Sequence, residues 1–407
     1  MLNRTLLFLL GLFCIGCINS ELDPNVYSIS NYNDSIEKTI VRINAESKIK
    51  RLDSLFNHYH KLGGFNGNVL IAQSGIVFYK KSFGFANFKT KDSLNENSQF
   101  QLASISKQFT ATTILILKER GLLDLNDSVQ KYFPNFPYNG ISIKLLLSHR
   151  SGLPNYIYYC DEIIKDKDTP ITNDSVLNIL VRDKPIRYYP PNKKFNYSNT
   201  GYVILASIVE KVSGISFEEF VQKEIFTPLE MDNSIIYNKA KKTVVKNKAT
   251  GYLYREKVAE DNFLNGVIGD KGIYTTSEDL YKWDIGLYSD KIIKRTTINE
   301  AFEPANSDMK FPKNYGFGWR LKYLTDGRKM IYHRGWWQGF QNLLVRLESD
   351  STTIVILRNR KTRTIINPYI ILDILYPDKQ YLTNSNSSLK EIDDVNDSIE
   401  INDKSRD

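Results

Sequence analysis

A serine three residues ahead of a lysine makes an activated nucleophile when the serine opens a helix and the lysine is buried. The chain spells Ser-x-x-Lys six times, from Ser35, Ser47, Ser104, Ser128, Ser307 and Ser387, so the spelling alone carries nothing. Its plain reading is a helix N-cap beside a solvated lysine. Only the match at Ser104 opens a long apolar run. There Phe109, Ala111, Ile114, Leu115, Ile116 and Leu117 leave almost no polar face before Gly121. A hydroxyl at that helix start sits among unpaired N–H groups at the positive end of the dipole. Lys107 lies one turn along on the same face. Burial would draw its pKa from ~10.4 toward the working pH, and a neutral amine there can take the serine proton.

Two further motifs supply what such a nucleophile needs. Tyr197-Ser198-Asn199 is the single Tyr-x-Asn in the chain, and His333-Arg334-Gly335 the single His-x-Gly. A phenol can shuttle a proton between nucleophile and leaving group, and an asparagine amide can hold a substrate carbonyl. A glycine on an edge strand admits a substrate backbone. The following N–H, on Trp336, can complete an oxyanion hole with the N–H of Ser104.

The elements that must position these groups follow from the hydrophobic pattern. Residues 67–72 and 76–79 read as two strands joined at a turn through Gly75, and Ser104 begins a helix buried on most sides. From 122 to about 300 the pattern is mostly helical, with segments at 201–212, 216–225 and 277–287. Strands return at 340–347 and 352–357 around Glu-Ser-Asp-Ser, followed by an apolar helix over 368–375. The expectation is an α/β (α+β) fold: one antiparallel sheet built from both ends of the chain and flanked by helices, with a mainly helical subdomain inserted between.

Composition narrows the classes. The 407 residues are 42% apolar and 25% charged, which excludes wholesale disorder and a multi-span membrane protein. Three cysteines make no disulfide framework, and four histidines without an H-x-x-x-H spacing supply no zinc pattern, so neither metal nor cofactor is expected. The net charge of +8 permits an acidic partner, but the basic residues are scattered, which argues against nucleic acid. Lys239–Lys248 reads as a solvated surface. His58 and His60, two apart, point to different faces of a helix and read as solvated.

At the N-terminus Arg4 precedes a ten-residue apolar run, Leu6–Ile15, too short to span a bilayer and right for a secretory signal. It ends in Cys14-Ile15-Gly16-Cys17, which resembles a bacterial lipobox. The expectations are a signal peptide over 1–16, lipidation at Cys17, a polar tether over 17–48, a hydrolase domain over 49–377 and a disordered acidic tail over 378–407. That tail holds eight acids against four bases. Cys160 is then the remaining free thiol, and the protein is a secreted, membrane-anchored lipoprotein of the cell envelope.

The order Ser-x-x-Lys, Tyr-x-Asn, His-x-Gly resembles the serine β-lactamase and penicillin-binding superfamily, in its class C-like branch, which also holds D-alanyl-D-alanine carboxypeptidases, D-amino-acid peptidases and esterases. Leu146–Pro154 (LLSHRSGLP) and Phe195–Tyr202 (FNYSNTGY) are similar to that branch, as are 269–280 and 315–319. The resemblance implies a β-lactamase/transpeptidase-like fold over about 67–375. Ser104 would be the acylated nucleophile, and Lys107 and Tyr197 the general base and acid in a division left open. Asn199 would hold the acyl side, His333 and Gly335 the strand edge, and the N–H groups of Ser104 and Trp336 the oxyanion. His149 falls in a matched segment without an acid partner and reads as structural.

Histidine replaces the lysine of the Lys-Thr-Gly form and is mostly neutral at pH 7, which disfavours efficient β-lactam hydrolysis. Arg334, its neighbour on the strand, points to the opposite face. The reading is therefore an esterase or D-amino-acid peptidase/carboxypeptidase, acting on a small-molecule or peptide substrate through an acyl-enzyme. The rivals are a class C-type β-lactamase and a non-catalytic envelope-binding lipoprotein. Trp336 and Trp337, with Tyr156, Tyr158 and Tyr159, are either an aromatic rim or half-buried packing, and the sequence leaves both open.

Overall fold

The computed structural model describes residues 36–384 apart from Arg42. Helix α1 spans Ala45–Lys61 and buries Lys48, Leu52 and Phe56, a stripe at i, i+4, i+8. Two strands follow, β1 (Gly67–Gln73) and β2 (Ile76–Phe83). The chain then leaves the sheet and returns as β3 (Lys313–Tyr315), β4 (Arg320–Tyr323), β5 (Lys329–Trp337), β6 (Phe340–Leu347) and β7 (Thr352–Arg358). These form one antiparallel sheet in the order β2-β1-β7-β6-β5-β4-β3, so the first strand pairs with the last, Gly67 opposite Arg358. The two ends of the chain do build one sheet.

Side chains alternate across that sheet. Val69, Ile71, Ile354, Ile356, Leu343 and Val345 face outward, where α1 and the C-terminal helix Pro368–Leu375 cover them. Leu70, Val355, Leu357, Leu344 and Ile331 face inward against the helical layer. Because both faces are covered, β1 is buried along its whole length.

The inner layer is the inserted helical part. Helix α2 (Ser106–Glu119) is buried from Ser106 to Leu117, because it runs between the sheet and the other helices. Phe109 stacks on Trp283 at 4.2 Å between centroids, and Trp283 Nε1 donates to Gln108 Oε1. Helix α3 (Asn199–Ser213) packs against α2 and ends at Gly214, whose φ of 75° is the left-handed stop that glycine takes without strain. A small three-stranded sheet of Phe100–Gln101, Ile273–Thr275 and Ile235–Ile236 ties the entrance of this layer to its exit.

Four boundaries differ from expectation. The helix expected from Ser104 opens with a 3₁₀ turn at Ala103–Ile105, and α geometry starts at Ser106. The segment expected as a helix over 216–225 is α-helical at Phe217–Val221 and widens to a π turn at Gln222–Phe226. Helix α1 starts inside the stretch expected as tether. Its inward stripe includes Lys48, whose ammonium donates to Gln73 Oε1 at 2.7 Å, so the apolar period is incomplete in sequence. The fold also runs past residue 377. Tyr381 is buried, its hydroxyl donates to Asp326, and its N–H meets Asp373. The signal peptide, Cys17 and most of the tail lie outside the described residues.

Candidate active site

Ser104 stands in the 3₁₀ turn, and the residue before it, Ala103, holds a φ of 51°. A non-glycine residue in that region is uncommon and is kept there by its surroundings. Leu102 donates its N–H to Ile273 O, and Asn342 Nδ2 donates to Gln101 O, so both sheets grip the approach. Gly335 presses on it from β5. A Cβ at 335 would lie 2.0 Å from Leu102 O, so any side chain there would displace the approach to the serine.

Lys107 is wholly buried, and its three donors find three acceptors. These are Ser104 Oγ at 3.1 Å, Asn199 Oδ1 at 2.8 Å and the main-chain oxygen of Asp270 at 2.9 Å. Burial pulls its pKa down, the Asp270 carboxylate opposes that and Arg320 assists it, leaving the ammonium at about 7. A proton can therefore leave or join this amine near neutral pH. The match at Ser128 makes the contrast. There the serine caps a short helix by accepting from the Gln130 N–H, and Lys131 lies 56% exposed on Asp127.

Tyr197 lies just ahead of α3, buried between charges and rings. Lys107 Nζ is 5.0 Å from its ring centre and the Arg320 guanidinium 5.6 Å. The His149 ring packs against it, tilted by 36°, at 4.2 Å between centroids. His149 Nδ1 accepts the N–H of Ser198, so the ring proton belongs on Nε2, which has no hydrogen-bond partner among the described residues. Burial, then the nearby Lys107, His333 and Arg320, hold this imidazole well below its ordinary pKa, hence neutral. Sequence reasoning placed it as structural; it braces the tyrosine of the second motif.

His333 corrects an expectation. It is 1% exposed, and both ring nitrogens are taken: Nδ1 meets the Arg334 main-chain oxygen at 2.6 Å and Nε2 the Tyr315 hydroxyl at 3.2 Å. Burial and the cations Arg320 and Lys107 keep it neutral. It supports the Tyr315–Tyr197 ring cluster instead of lining a groove. The strand edge itself is as expected. β4 pairs with β5 only through Lys329–Tyr332, so from His333 to Trp337 β5 is hydrogen-bonded on the β6 side alone.

For most of the aromatic residues the structure chooses packing over a rim. Trp336 turns to the outer face, with the Lys361 ammonium 5.4 Å from its ring, so only its main chain faces the Ser104 side. Trp337 is buried, donating to Asn265 Oδ1, and Tyr156 is buried between Asp270 and Lys271. Tyr159 hydrogen-bonds Asp183, which leaves Tyr158 as the exposed ring of the set. The Trp337 indole and the Tyr156 and Tyr159 phenols have internal partners, which decides for packing over a rim at those three positions.

Asp270, Lys271 and Arg320 were missed. The Tyr156 hydroxyl donates to Asp270 Oδ2 at 3.0 Å, and Lys271 Nζ meets the same hydroxyl and, at 3.4 Å, Asp270 Oδ1. Thr110 Oγ1 donates to Gly269 O at 2.6 Å, pinning this loop to α2. The network fixes the Asp270 carbonyl that receives Lys107. Its signal in sequence was an acid–base pair between two glycines inside an apolar run, Val267-Ile268-Gly269-Asp270-Lys271-Gly272-Ile273. Gly269 and Gly272, with φ of 101° and 106°, turn it inward. Cys160 is a free buried thiol whose pKa burial raises to about 11, so it stays protonated and inert.

Comparison with known proteins decides the family. The beta-lactamase family model matches residues 52–373. The chain belongs to the beta-lactamase family. It is 34% identical over 334 residues to penicillin-binding protein 4* of Bacillus subtilis (strain 168), covering 78% of this chain and 73% of that one. Among solved structures it resembles EstCE1, a hydrolase with promiscuous acyltransferase activity, at a TM-score of 0.70 and 21% identity, covering 82% of this chain and 100% of that one. It also resembles the D-amino acid amidase of Ochrobactrum anthropi SV3, at 0.66 and 20%, covering 84% and 98%. At these identities the two structures speak for the β-lactamase/transpeptidase-like fold, which the antiparallel sheet and inserted helices share.

Proposed function

We propose that the serine hydrolase activity of this family member, on ester or amide bonds, is carried by Ser104 with Lys107 as its base. The observation that carries this is the Lys107 ammonium, wholly buried against Ser104 Oγ with its pKa drawn to about 7. In its neutral form Nζ takes the Ser104 proton while Oγ bonds to the substrate carbonyl carbon. The carbonyl electron pair moves onto oxygen, received by the N–H groups of Ser104 and Trp336. Collapse of that oxyanion breaks the bond to the leaving alkoxide or amine, which takes a proton relayed through Lys107 and Tyr197. Water repeats the sequence on the acyl-enzyme. Asn199, already held by Lys107, presents its amide to the acyl group, and the open edge of β5 at Gly335 receives the substrate main chain.

The substrate class we favour is a small ester or a D-alanyl-type amide. One structural neighbour is named a D-amino acid amidase and another a hydrolase with acyltransferase activity. The neutral, enclosed His333 offers no cation to a β-lactam carboxylate, which favours this class over β-lactam hydrolysis. We further propose that Cys17 is lipidated and anchors the protein in the cell envelope. The lipobox-like Cys14–Cys17 supports that reading.

The test is intact-mass analysis with benzylpenicillin beside hydrolysis of p-nitrophenyl butyrate and D-alanyl p-nitroanilide. The expected result is a penicilloyl adduct lasting many minutes, with ester or anilide turnover lost in Ser104→Ala. Rapid penicillin turnover would make the protein a β-lactamase, and no turnover or adduct on folded protein would sink the assignment. For the anchor, incorporation of labelled palmitate should vanish in Cys17→Ala.

A further inference from the structure

The His-x-Gly motif brings no cation to the site. His333 is neutral, and Arg334 turns to the outer face of the sheet, where it donates to Ile366 O. A positive charge arrives instead from the neighbouring strand. Arg320 opens β4, opposite Tyr332 on β5 and Tyr315 on β3, and is 5% exposed. Its guanidinium carbon lies 5.6 Å from the centre of the Tyr197 ring, and Lys107 Nζ lies 5.0 Å from the same centre. Two cations attend one phenol, and of the two only the lysine can give up its proton.

The other titratable groups packed around Lys107 and Tyr197 are neutral or share their charge. Burial holds His149 and His333 neutral. It also keeps the phenols of Tyr202 and Tyr315 protonated, the first donating to Leu147 O and the second meeting His333 Nε2. The Asp270 carboxylate is shared with Tyr156 and Lys271. Arg320 is the fixed charge set against this ring cluster, and it acts in one sense on each member. It opposes a proton on Lys107, His149 and His333, and it favours loss of one from Tyr315.

We propose that Arg320 is a positioning residue of the hydrolytic reaction, whose fixed charge beside Tyr197 keeps the Lys107 amine free of its proton before the attack and drives the Tyr197 proton onto the leaving group after it. This rests on Ser104 as nucleophile and Lys107 as base. In the first step the Ser104 proton passes to Nζ as Oγ bonds to the carbonyl carbon. When the tetrahedral adduct collapses, the bond to the leaving oxygen or nitrogen breaks, and that atom takes the Tyr197 proton. The phenolate then takes the proton held on Nζ, and the amine is neutral again. The guanidinium keeps the base available at pH 7 and stabilises the phenolate that forms when the proton is given up.

The test compares kcat/KM between pH 5 and 9 for p-nitrophenyl butyrate and phenyl butyrate, in the unmutated protein, Arg320→Met and Arg320→Lys. Phenoxide is the stronger base and gains more from a proton as it leaves. In Arg320→Met the half-point of the profile should rise by about one pH unit. On the high-pH plateau phenyl butyrate should lose about 5-fold more than the p-nitrophenyl ester. Arg320→Lys keeps the charge and should keep both values. If Arg320→Met does not fold, Arg320→Gln is read in the same way. An unmoved half-point, an equal loss for both esters at every pH, or the full shift in Arg320→Lys would overturn the proposal. Failure of the underlying reading looks different. The unmutated protein would then show no half-point near pH 7, or keep it in Lys107→Met, and the proposal would fall with it.

Discussion

Lys107 and Arg346 are both wholly buried cations on the inner side of the sheet, and their surroundings are opposite. Lys107 is met by neutral acceptors: a hydroxyl, a side-chain amide and a main-chain carbonyl. Arg346 on β6 is met by a carboxylate, Asp284 at 2.8 Å, and packed by the rings of Tyr288 and Phe302 at 4.5 and 4.8 Å. Burial would lower both cations. In Arg346 the charge of Asp284, helped by Tyr288 and Glu348, outweighs burial and keeps the guanidinium charged. In Lys107 the carboxylate of Asp270 is shared with Lys271 and Tyr156, and burial wins. One burial makes a proton switch and the other a fixed pin.

Exchanging each cation for methionine should separate the two roles most widely. Lys107→Met should lower kcat/KM by about 10²–10⁴, the usual range for losing a general base, without lowering the melting temperature at pH 7. Arg346→Met strands Asp284 and should cost ~3–5 kcal/mol, read as an earlier denaturant midpoint, with activity per folded molecule kept. The pH dependence of stability should divide them too. Lys107 binds its proton less readily folded than unfolded, so the unfolded chain holds more protons between about pH 7 and the unfolded value. Stability gains roughly 1.4 kcal/mol per pH unit from this residue across that window, and the penalty is fully present below pH 7. The Met variant should lose that slope. A steep loss of stability in Lys107→Met, or an activity defect in folded Arg346→Met, would erase the contrast.

How much of this was legible follows the same division. Local chemistry was written in adjacent residues. Ser104 and Lys107 are one turn apart, and the strands and the Pro368–Leu375 helix follow from period and capping, with Asn367 accepting the Tyr369 N–H as the helix cap. Long-range pairing was not. Asp270 lies 163 residues from Lys107, and Arg320 opens the short strand Arg-Leu-Lys-Tyr, where a charge looks like a surface position. His333 was read by its type and strand parity, correctly for its neutrality and for the outward turn of Arg334. Its ring partner, Tyr315, comes from another strand. The aromatic residues stayed open between two readings, since an indole or phenol beside a site reads alike whether its polar atom meets water or Asn265.

A smaller effect sharpens the account at Lys271. Lys271→Met leaves Asp270 without its cation and lets its charge act more fully on Lys107. The half-point of the kcat/KM profile should move up by about one pH unit, so activity at pH 7 falls several-fold while the plateau at high pH is retained. An equal loss at all pH values would mean that Lys271 only holds the loop. The smallest expected change is at the Ser-x-x-Lys that starts from Ser128. Ser128→Ala removes a cap and should cost ~1 kcal/mol with no change in kcat/KM.

The measurement that bears most directly on the central claim is the rate of fluorophosphonate labelling of the protein between pH 5 and 9, followed by intact mass. The account predicts a single adduct, absent in Ser104→Ala, whose rate rises with pH and reaches half its maximum near pH 7, the pKa of the buried Lys107. In Lys107→Met the labelling should be slow and lose that inflection. An adduct that survives in Ser104→Ala, or an inflection near pH 7 that survives in Lys107→Met, would contradict it.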